Sequence, residues 1–452
     1  MDWQDLRRRL DGPPRAGQWR HAQVEEELDR LESLARQSRP GARLERSPLG
    51  LSGEGRRVDL VRVGRGTKHV LGWTQMHGDE PTHTSAVFAL LDLLIRQADD
   101  PAFASILERC TLWFVPLLNP DGAQRDSRYN AAGIDLNRDA RHTATAEGRM
   151  LKQAAKLVAP EYALNLHNQN HRKRPAGDPR PTRMAVLAPP VDASLVGRAG
   201  SQPPNLAAAK RLAGAIAEAA CPLCEGRLTR YGADYTPTAF GEWFQASGAT
   251  TVLLESGGIQ HGDSPTAEEL QLFSLLTGLS LIAHPETMPT DSSAYTRLKE
   301  VASEPLFDVL VRGVWLARPG EPRPAGVDLG INYPNRSAAR PDATDGVVED
   351  LGDLADRYGI EELDCRATPH AVALPLPAGA VPEPTDGAPV DYRAIGLEAA
   401  QNSASGTVRR GAPADLVIAQ VGRSGAVDRL LAVIVAGRLA WNDSQPAGQG
   451  GA

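Results

Sequence analysis

Long apolar runs are missing from this chain. No stretch has the length and apolarity of a bilayer span, and no apolar segment follows the charged start, Met1-Asp-Trp-Gln-Asp-Leu-Arg-Arg-Arg9, so neither a membrane helix nor a signal peptide is expected. Cysteine is scarce. Cys110, Cys221, Cys224 and Cys365 are too few for a disulfide framework, and a reducing cytoplasm is the expected compartment. Cys221-Pro-Leu-Cys224 has no second pair to complete a structural zinc site. It reads as an inert loop pair, with a redox role as the alternative. An excess of positive charge is also absent. A formal charge of −7 gives no reason to expect nucleic acid or an anionic membrane as partner. Hydrophobic residues make up 41 % and charged residues 23 % of the 452, ordinary values for a globular protein long enough for two or three domains.

What is present is a short stretch with chemistry in it. Val70 to Met76 is an apolar run that ends in His77-Gly-Asp-Glu80. From Thr84 to Ile95 the apolar residues Ala86, Val87, Leu90, Leu91, Leu94 and Ile95 follow helical spacing, and Pro81 suits the first turn. His77 and Glu80 therefore fall in the loop between a buried strand and a helix, where ligands sit in open α/β sheets. An imidazole and a carboxylate three residues apart can share one divalent metal, and two histidines with one glutamate and a position open for water make a catalytic zinc site. The pattern is short and recurs by chance. On its own it also reads as a polar turn, with Glu80 at the positive end of the helix dipole.

The rest of the chain adds context. Residues 1–16 are polar and punctuated by Pro and Gly, and read as a loose N-terminal arm. A helix is expected from Gln18 to Gln37, and an opening strand or hairpin within Arg43 to Val63. Thr111 to Leu118 reads as a strand running into the turn Asn119-Pro-Asp-Gly122. Further strands are expected at Tyr162–Leu166, Met184–Ala188 and Thr250–Leu254, and helices at Glu147–Val158 and Asn205–Ala220. Three strands thus end on a potential ligand or acid–base residue: His77, His167 and Glu255. The alternation predicts an α/β domain with a mostly parallel or mixed sheet. Beyond residue 285 short β-like runs alternate with Pro/Gly-rich loops, which predicts a separate, mainly β domain. The expected division is an arm at 1–16, a catalytic domain at 17–285, a connector at 286–305, a β domain at 306–442 and a flexible tail at 443–452.

Taken in order, His77/Glu80, Asn119-Pro-Asp-Gly122, Asp135-Leu-Asn137-Arg138, the strand-end His167 and the strand-end Glu255 resemble the zinc carboxypeptidase family over about residues 17–280. The resemblance implies a three-layer α/β/α domain with a mixed central sheet, holding one zinc per chain on His77, Glu80 and His167. It implies that Glu255 is the general base, that Asn137 and Arg138 grip a substrate's terminal carboxylate, and that Arg128, with Arg125 nearby, polarises the scissile carbonyl. Tyr231 and Tyr235 both stand at plausible distances for the family's mobile tyrosine. His69, His83, His142 and His171 have no motif context and are expected to be structural or exposed. The residue types suit the chemistry. Zinc lowers the pKa of a bound water and polarises a carbonyl, a glutamate can shuttle the proton, and arginine forks a carboxylate. The expected reaction is release of the C-terminal residue from a peptide, or cleavage of a small amide with a free carboxylate. The sequence leaves side-chain preference and oligomeric state open.

Two alternatives stand beside this one. Asn165-Leu-His-Asn168 and Arg128-Tyr129 also resemble the aspartoacylase and succinylglutamate desuccinylase branch, which removes acyl groups from small amino acids. A metal-free α/β module that binds carboxylated ligands is the non-enzymatic alternative. In the C-terminal part, Phe307 to Gly313, Asp345 to Gly352, Ala414 to Ala419 and Val433 to Arg438 resemble the split β-sandwich that flanks the barrel of amidohydrolases. No barrel and no metal histidines accompany it, so a structural or specificity-shaping domain is expected.

Overall fold

In the computed structural model the alternating segments fold into an eight-stranded mixed sheet with helices on both faces. Residues 2–195, 202–232, 234–258, 264–316, 326–337, 345–376, 380, 391–402, 408–421 and 426–443 are described. The elements are α1 (Trp3–Arg9), α2 (His21–Arg36), β1 (Glu45–Leu51), β2 (Arg57–Gly64), β3 (Lys68–Trp73), α3 (Thr82–Arg96), α4 (Pro101–Arg109), β4 (Cys110–Val115), α5 (Pro120–Gln124), α6 (Ala146–Val158), β5 (Tyr162–Asn168), β6 (Met184–Leu187), α7 (Pro204–Ala220), β7 (Leu228–Arg230), α8 (Phe240–Ala246), β8 (Thr250–Ser256), α9 (Ala267–Ala283) and α10 (Ser293–Thr296).

The strand order is β1-β2-β4-β3-β5-β8-β6-β7. The four central strands β4, β3, β5 and β8 run parallel to one another. Side chains alternate between the faces. Val70, Leu112, Leu164, Leu166, Val252 and Leu254 join one apolar cluster with α2, α3, α4, α7 and α9. Leu71, Trp73, Val115 and Ala163 join the other with α6 and α8. Trp73 is fully buried and stacks on Phe244 of α8 at 4.6 Å, a contact of about 0.5–1.5 kcal/mol beyond the area it buries. Gly72 makes the layer possible on the other face, since a Cβ there would stand 2.7 Å from the Phe114 ring.

Several elements depart from the sequence expectation. The first sixteen residues are not a loose arm: α1 forms there, capped by Asp2, with Trp3 and Leu6 buried and Trp3 edge-on to Phe273. The Asn119-Pro-Asp-Gly turn is the start of α5, with the Asn119 side chain accepting from Gly122 N. His167 and Glu255 lie inside the last residues of β5 and β8 rather than just beyond them. Helix α9, capped by a Thr266–Glu269 box, is apolar nearly all round and so carries no helical periodicity to read.

The chain divides into two compact units, residues 1–303 with 337–340, and residues 304–336 with 341–452. The second unit is smaller and mainly β. It holds the sheet β11-β10-β9-β12, from β9 (Phe307–Val314), β10 (Val327–Asn332), β11 (Val347–Gly352) and β12 (Gly359–Asp364). It also holds the sheet β13-β14-β15-β16, from β13 (Ala371–Pro375), β14 (Leu416–Val421), β15 (Val427–Val435) and β16 (Arg438–Asn442), with α11 (Tyr392–Asn402). Val309, Val311, Leu329 and Ile331 of one sheet share a core with Ala371, Ala373, Ile418 and Ile434 of the other, a face-to-face sandwich. Residues 444–452 of the expected tail, and most of the Pro-rich 377–390, lie outside the described residues. None of the described helices is long and apolar enough to cross a membrane.

Candidate active site

The strand order brings the three chemistry-bearing strand ends side by side. Strands β3, β5 and β8 are adjacent and parallel, so their carboxyl ends share one edge of the sheet. His77 follows β3, while His167 and Glu255 are register partners across β5 and β8. Paired residues of neighbouring strands project to the same face.

His77, Glu80 and His167 form the group among the described residues whose ligand atoms could hold a metal, all within 4.8 Å of one another. They are 2 %, 7 % and 2 % exposed. Glu80 bridges the two imidazoles: Nδ1 of His77 stands 2.8 Å from Oε1, and Nδ1 of His167 stands 2.8 Å from Oε2. Asn168 N also donates to Oε2 at 3.1 Å. Nε2 of His77 meets Asp135 Oδ1 at 3.1 Å. In the neutral ring that bond puts the hydrogen on Nε2 and leaves Nδ1 with its lone pair. Arg128 Nη1, a pure donor 3.2 Å from the same Nδ1, agrees with that tautomer. A lone pair then faces a carboxylate oxygen, and the two acceptors call for a cation between them. The donor set therefore fits a zinc ion.

Burial alone would raise the Glu80 carboxyl, but His77 and His167 beside it hold it below the usual range. Burial also disfavours a charged His77, yet Glu80 and Asp135 raise it to about 9. Burial pushes His167 down. Glu255 is pushed well above the carboxylate range by burial and by the charge of Glu80, and its Oε2 is buried with no partner among the described residues.

Asp135 is the member the sequence reading did not assign. It receives Nε and Nη2 of Arg128 at 3.1 and 2.9 Å on the oxygen opposite the one facing His77. A carboxylate behind a ligating histidine fixes the ring's tautomer and orientation. The available signal was the first residue of Asp135-Leu-Asn-Arg138. Arg125 is held elsewhere, by Glu54 and the Asp121 carbonyl, so Arg128 is the arginine at the cluster. The Tyr231 hydroxyl donates to Gln169 at 2.8 Å and is raised by burial and by the charges of Glu255 and Glu80, whereas Tyr235 is exposed. His69 bonds the Val158 carbonyl, and His83 bonds Gln271 and the backbone of His167; neither belongs to the metal-competent group.

Asn137 and Arg138 sit on a 3₁₀ turn, Leu136–Arg138, that Asp135 caps through Asn137 N. The Asn137 Oδ1 accepts from Phe240 N at 3.0 Å, so the amide hydrogens of Asn137 face away from α8. Arg138 is exposed, with one Nη1 contact to the Asn137 carbonyl at 2.7 Å. Glu242, on the first turn of α8, is buried and raised by that burial, and feels the charge of Arg138.

Residues 33–162 match the model of the zinc carboxypeptidase family. That segment contains His77, Glu80, Arg128, Asn137 and Arg138, and stops before His167 and Glu255. A probable carboxypeptidase 2 of Trichophyton verrucosum is 33 % identical over 97 residues, covering 21 % of this chain and 18 % of that protein. Carboxypeptidase 2 of Trichophyton rubrum is 32 % identical over 97 residues, with the same coverage. The chain thus spans under a fifth of the length of these relatives. Among solved structures, a metallo-carboxypeptidase of Burkholderia cenocepacia aligns with a TM-score of 0.46 and 19 % identity, over 60 % of this chain and 70 % of that one. Over residues 33–162 the chain is thus similar to the zinc carboxypeptidase family.

Proposed function

We propose that the chain is a zinc metallocarboxypeptidase that hydrolyses the C-terminal peptide bond of its substrates. One observation carries the reading: the convergent His77–Glu80–His167 group stands next to Glu255, whose Oε2 is buried and unpartnered. His77, Glu80 and His167 would hold the zinc. A zinc with three protein ligands supplies an acidified water and a polarised carbonyl. Glu255 takes a proton at Oε2 and returns it to the leaving amine, a task its raised pKa suits. Arg128, anchored by Asp135, places a fixed positive charge where an oxyanion develops. Asn137 and Arg138 receive the free carboxylate of the substrate through donors only. The matched family is one of peptidases, which favours this reading over the acyl-amidase one. None of the four cysteines forms a disulfide, which supports a reducing, cytoplasmic setting. We read the second unit as non-catalytic, since the one metal-competent group among the described residues lies in the first.

The test is residue release from a mixed peptide library, with and without chelator and with zinc restored. Release of single C-terminal residues that chelator stops and zinc restores is expected. Equal cleavage of free and C-terminally amidated peptides would sink the exopeptidase reading, and indifference to chelator would sink the metal reading.

A further inference from the structure

The loop carrying His77 and Glu80 is gripped from outside the metal cluster. Gln75 is fully buried and takes a φ of 42°, a backbone conformation that residues with a side chain rarely adopt. Its Nε2 donates to the Gly78 carbonyl at 3.0 Å and to the Trp19 carbonyl at 3.2 Å, and its Oε1 accepts from Thr84 Oγ1 at 2.8 Å. The Gly78 carbonyl also accepts from Gln18 Nε2 at 2.9 Å, and the same nitrogen reaches the Ala123 carbonyl at 2.8 Å. On the far side Asn119 N donates to the Gln75 carbonyl at 3.0 Å, and Asn119 Nδ2 to the Met76 carbonyl at 3.2 Å. Gly78 has no lateral room, since a Cβ there would stand 2.0 Å from the Gly122 carbonyl carbon.

Gln18 is itself well placed. Trp19 next to it is buried, donates from Nε1 to Ser85 Oγ at 2.6 Å, and lies 4.7 Å from the Phe88 ring. Residues 18 and 19 precede the matched segment, which begins at residue 33. Part of the grip, that of Gln18 and Trp19, therefore comes from outside that segment.

We propose that Gln18 is a positioning residue for the metal loop: its carboxamide, set by the docked Trp19, holds the Gly78 carbonyl and fixes the spacing of His77 and Glu80. The N-terminal segment thereby serves as a built-in clamp on the zinc site. The proposal rests on the reading of His77, Glu80 and His167 as that site. Residues that orient ligands without touching the metal typically account for about 10–100-fold in metal affinity.

The experiment measures zinc dissociation constants on the full chain by competition with a chromophoric chelator, alongside melting of the metal-free proteins. Gln18→Met removes both donor and acceptor, and Gln18→Glu keeps the shape but loses the donor. Both should bind zinc about 10–100-fold more weakly than the parent. Gln97→Met serves as control. It breaks a comparable side-chain bond of the N-terminal segment, Gln97 Nε2 to the Arg9 carbonyl at 2.8 Å, away from the metal loop. It should lower the melting temperature and leave zinc affinity at the parent value. Parent-like zinc affinity in both Gln18 variants would overturn the clamp, and so would equal weakening by Gln97→Met, which would mark a general loss of stability. A parent chain that fails to bind zinc would sink the metal-site reading itself, a result distinct from either.

Discussion

The His77–Glu80–His167 group and the Asn137–Arg138 turn stand in opposite physical states. In the first, two side chains of the β3–α3 loop and one of β5 are nearly inaccessible, and Glu80 alone joins both imidazoles and a backbone amide. In the second, a single 3₁₀ turn presents an exposed guanidinium and an amide. The first is fixed before any substrate arrives, and losses there should be total. On the proposed function the second gains its partner from the substrate, so losses there should be graded and depend on the substrate's end group.

The largest effect is expected in the closed group. His167→Ala removes a proposed ligand, one of the three side chains that could hold the metal. Zinc content and turnover should fall together, by more than the roughly 10–100-fold typical of losing an outer partner. Metal analysis of parent and variant checks it, and equal zinc in both would remove His167 from the ligand set.

Glu255→Gln comes next. It keeps size and shape at a buried position but removes the proton carrier, so turnover should fall about 10²–10⁴-fold with zinc retained. Metal content and turnover in one preparation decide the matter. Zinc lost in step with activity would make Glu255 a ligand, and near-parent turnover would assign the base elsewhere.

Arg138→Ala probes the open turn. For a buried charge pair the loss would be about 2–5 kcal/mol. Arg138 is exposed, which lowers the expectation to the range of a hydrogen bond to a charged group, about 1.5–3 kcal/mol. That corresponds to a fall in kcat/KM of about 10- to 150-fold on free peptides. Amidated peptides should be nearly indifferent to the change. An equal loss on both substrates would mean that Arg138 does not read the carboxylate.

How legible these regions were in the sequence follows from where the information lies. The central strands were readable because each buries a continuous apolar run, as from Val70 to Trp73, and α3 because its apolar residues from Ala86 to Ile95 keep helical spacing. Helix α9 was not, since it is buried almost all round and a helix of that kind shows no period. Helix α1 was hidden because two buried residues, Trp3 and Leu6, dock an otherwise charged segment through tertiary contact. At the site, His77, Glu80 and His167 were legible as residue types at strand ends. Their mutual aim depends on the order β3-β5-β8, which spacing along the chain does not encode. Asp135 lies 58 residues from His77, so its bond to Nε2 could not be read from local pattern.

The smallest predicted effect, and the sharpest on the open turn, concerns Asn137. Its carboxamide has two separable duties. Oδ1 accepts from Phe240 N at 3.0 Å and ties the turn to α8, and the amide hydrogens are what it has left to offer a carboxylate. Asn137→Ala removes both duties and should cost about 0.5–1.5 kcal/mol of stability for the lost bond, along with binding. Asn137→Asp keeps an acceptor for Phe240 N, so stability should stay within about 0.5 kcal/mol of the parent. It puts a second carboxylate oxygen where the donor was. On free peptides kcat/KM should fall about tenfold, the loss of one hydrogen bond to a charged group. On amidated peptides, whose terminal amide can donate to the new oxygen, the fall should be smaller or reversed. The quantity to measure is the ratio of free to amidated cleavage in parent and variant. If that ratio is unchanged while both rates drop, Asn137 acts only through its tie to α8, and the carboxylate is read by Arg138 alone.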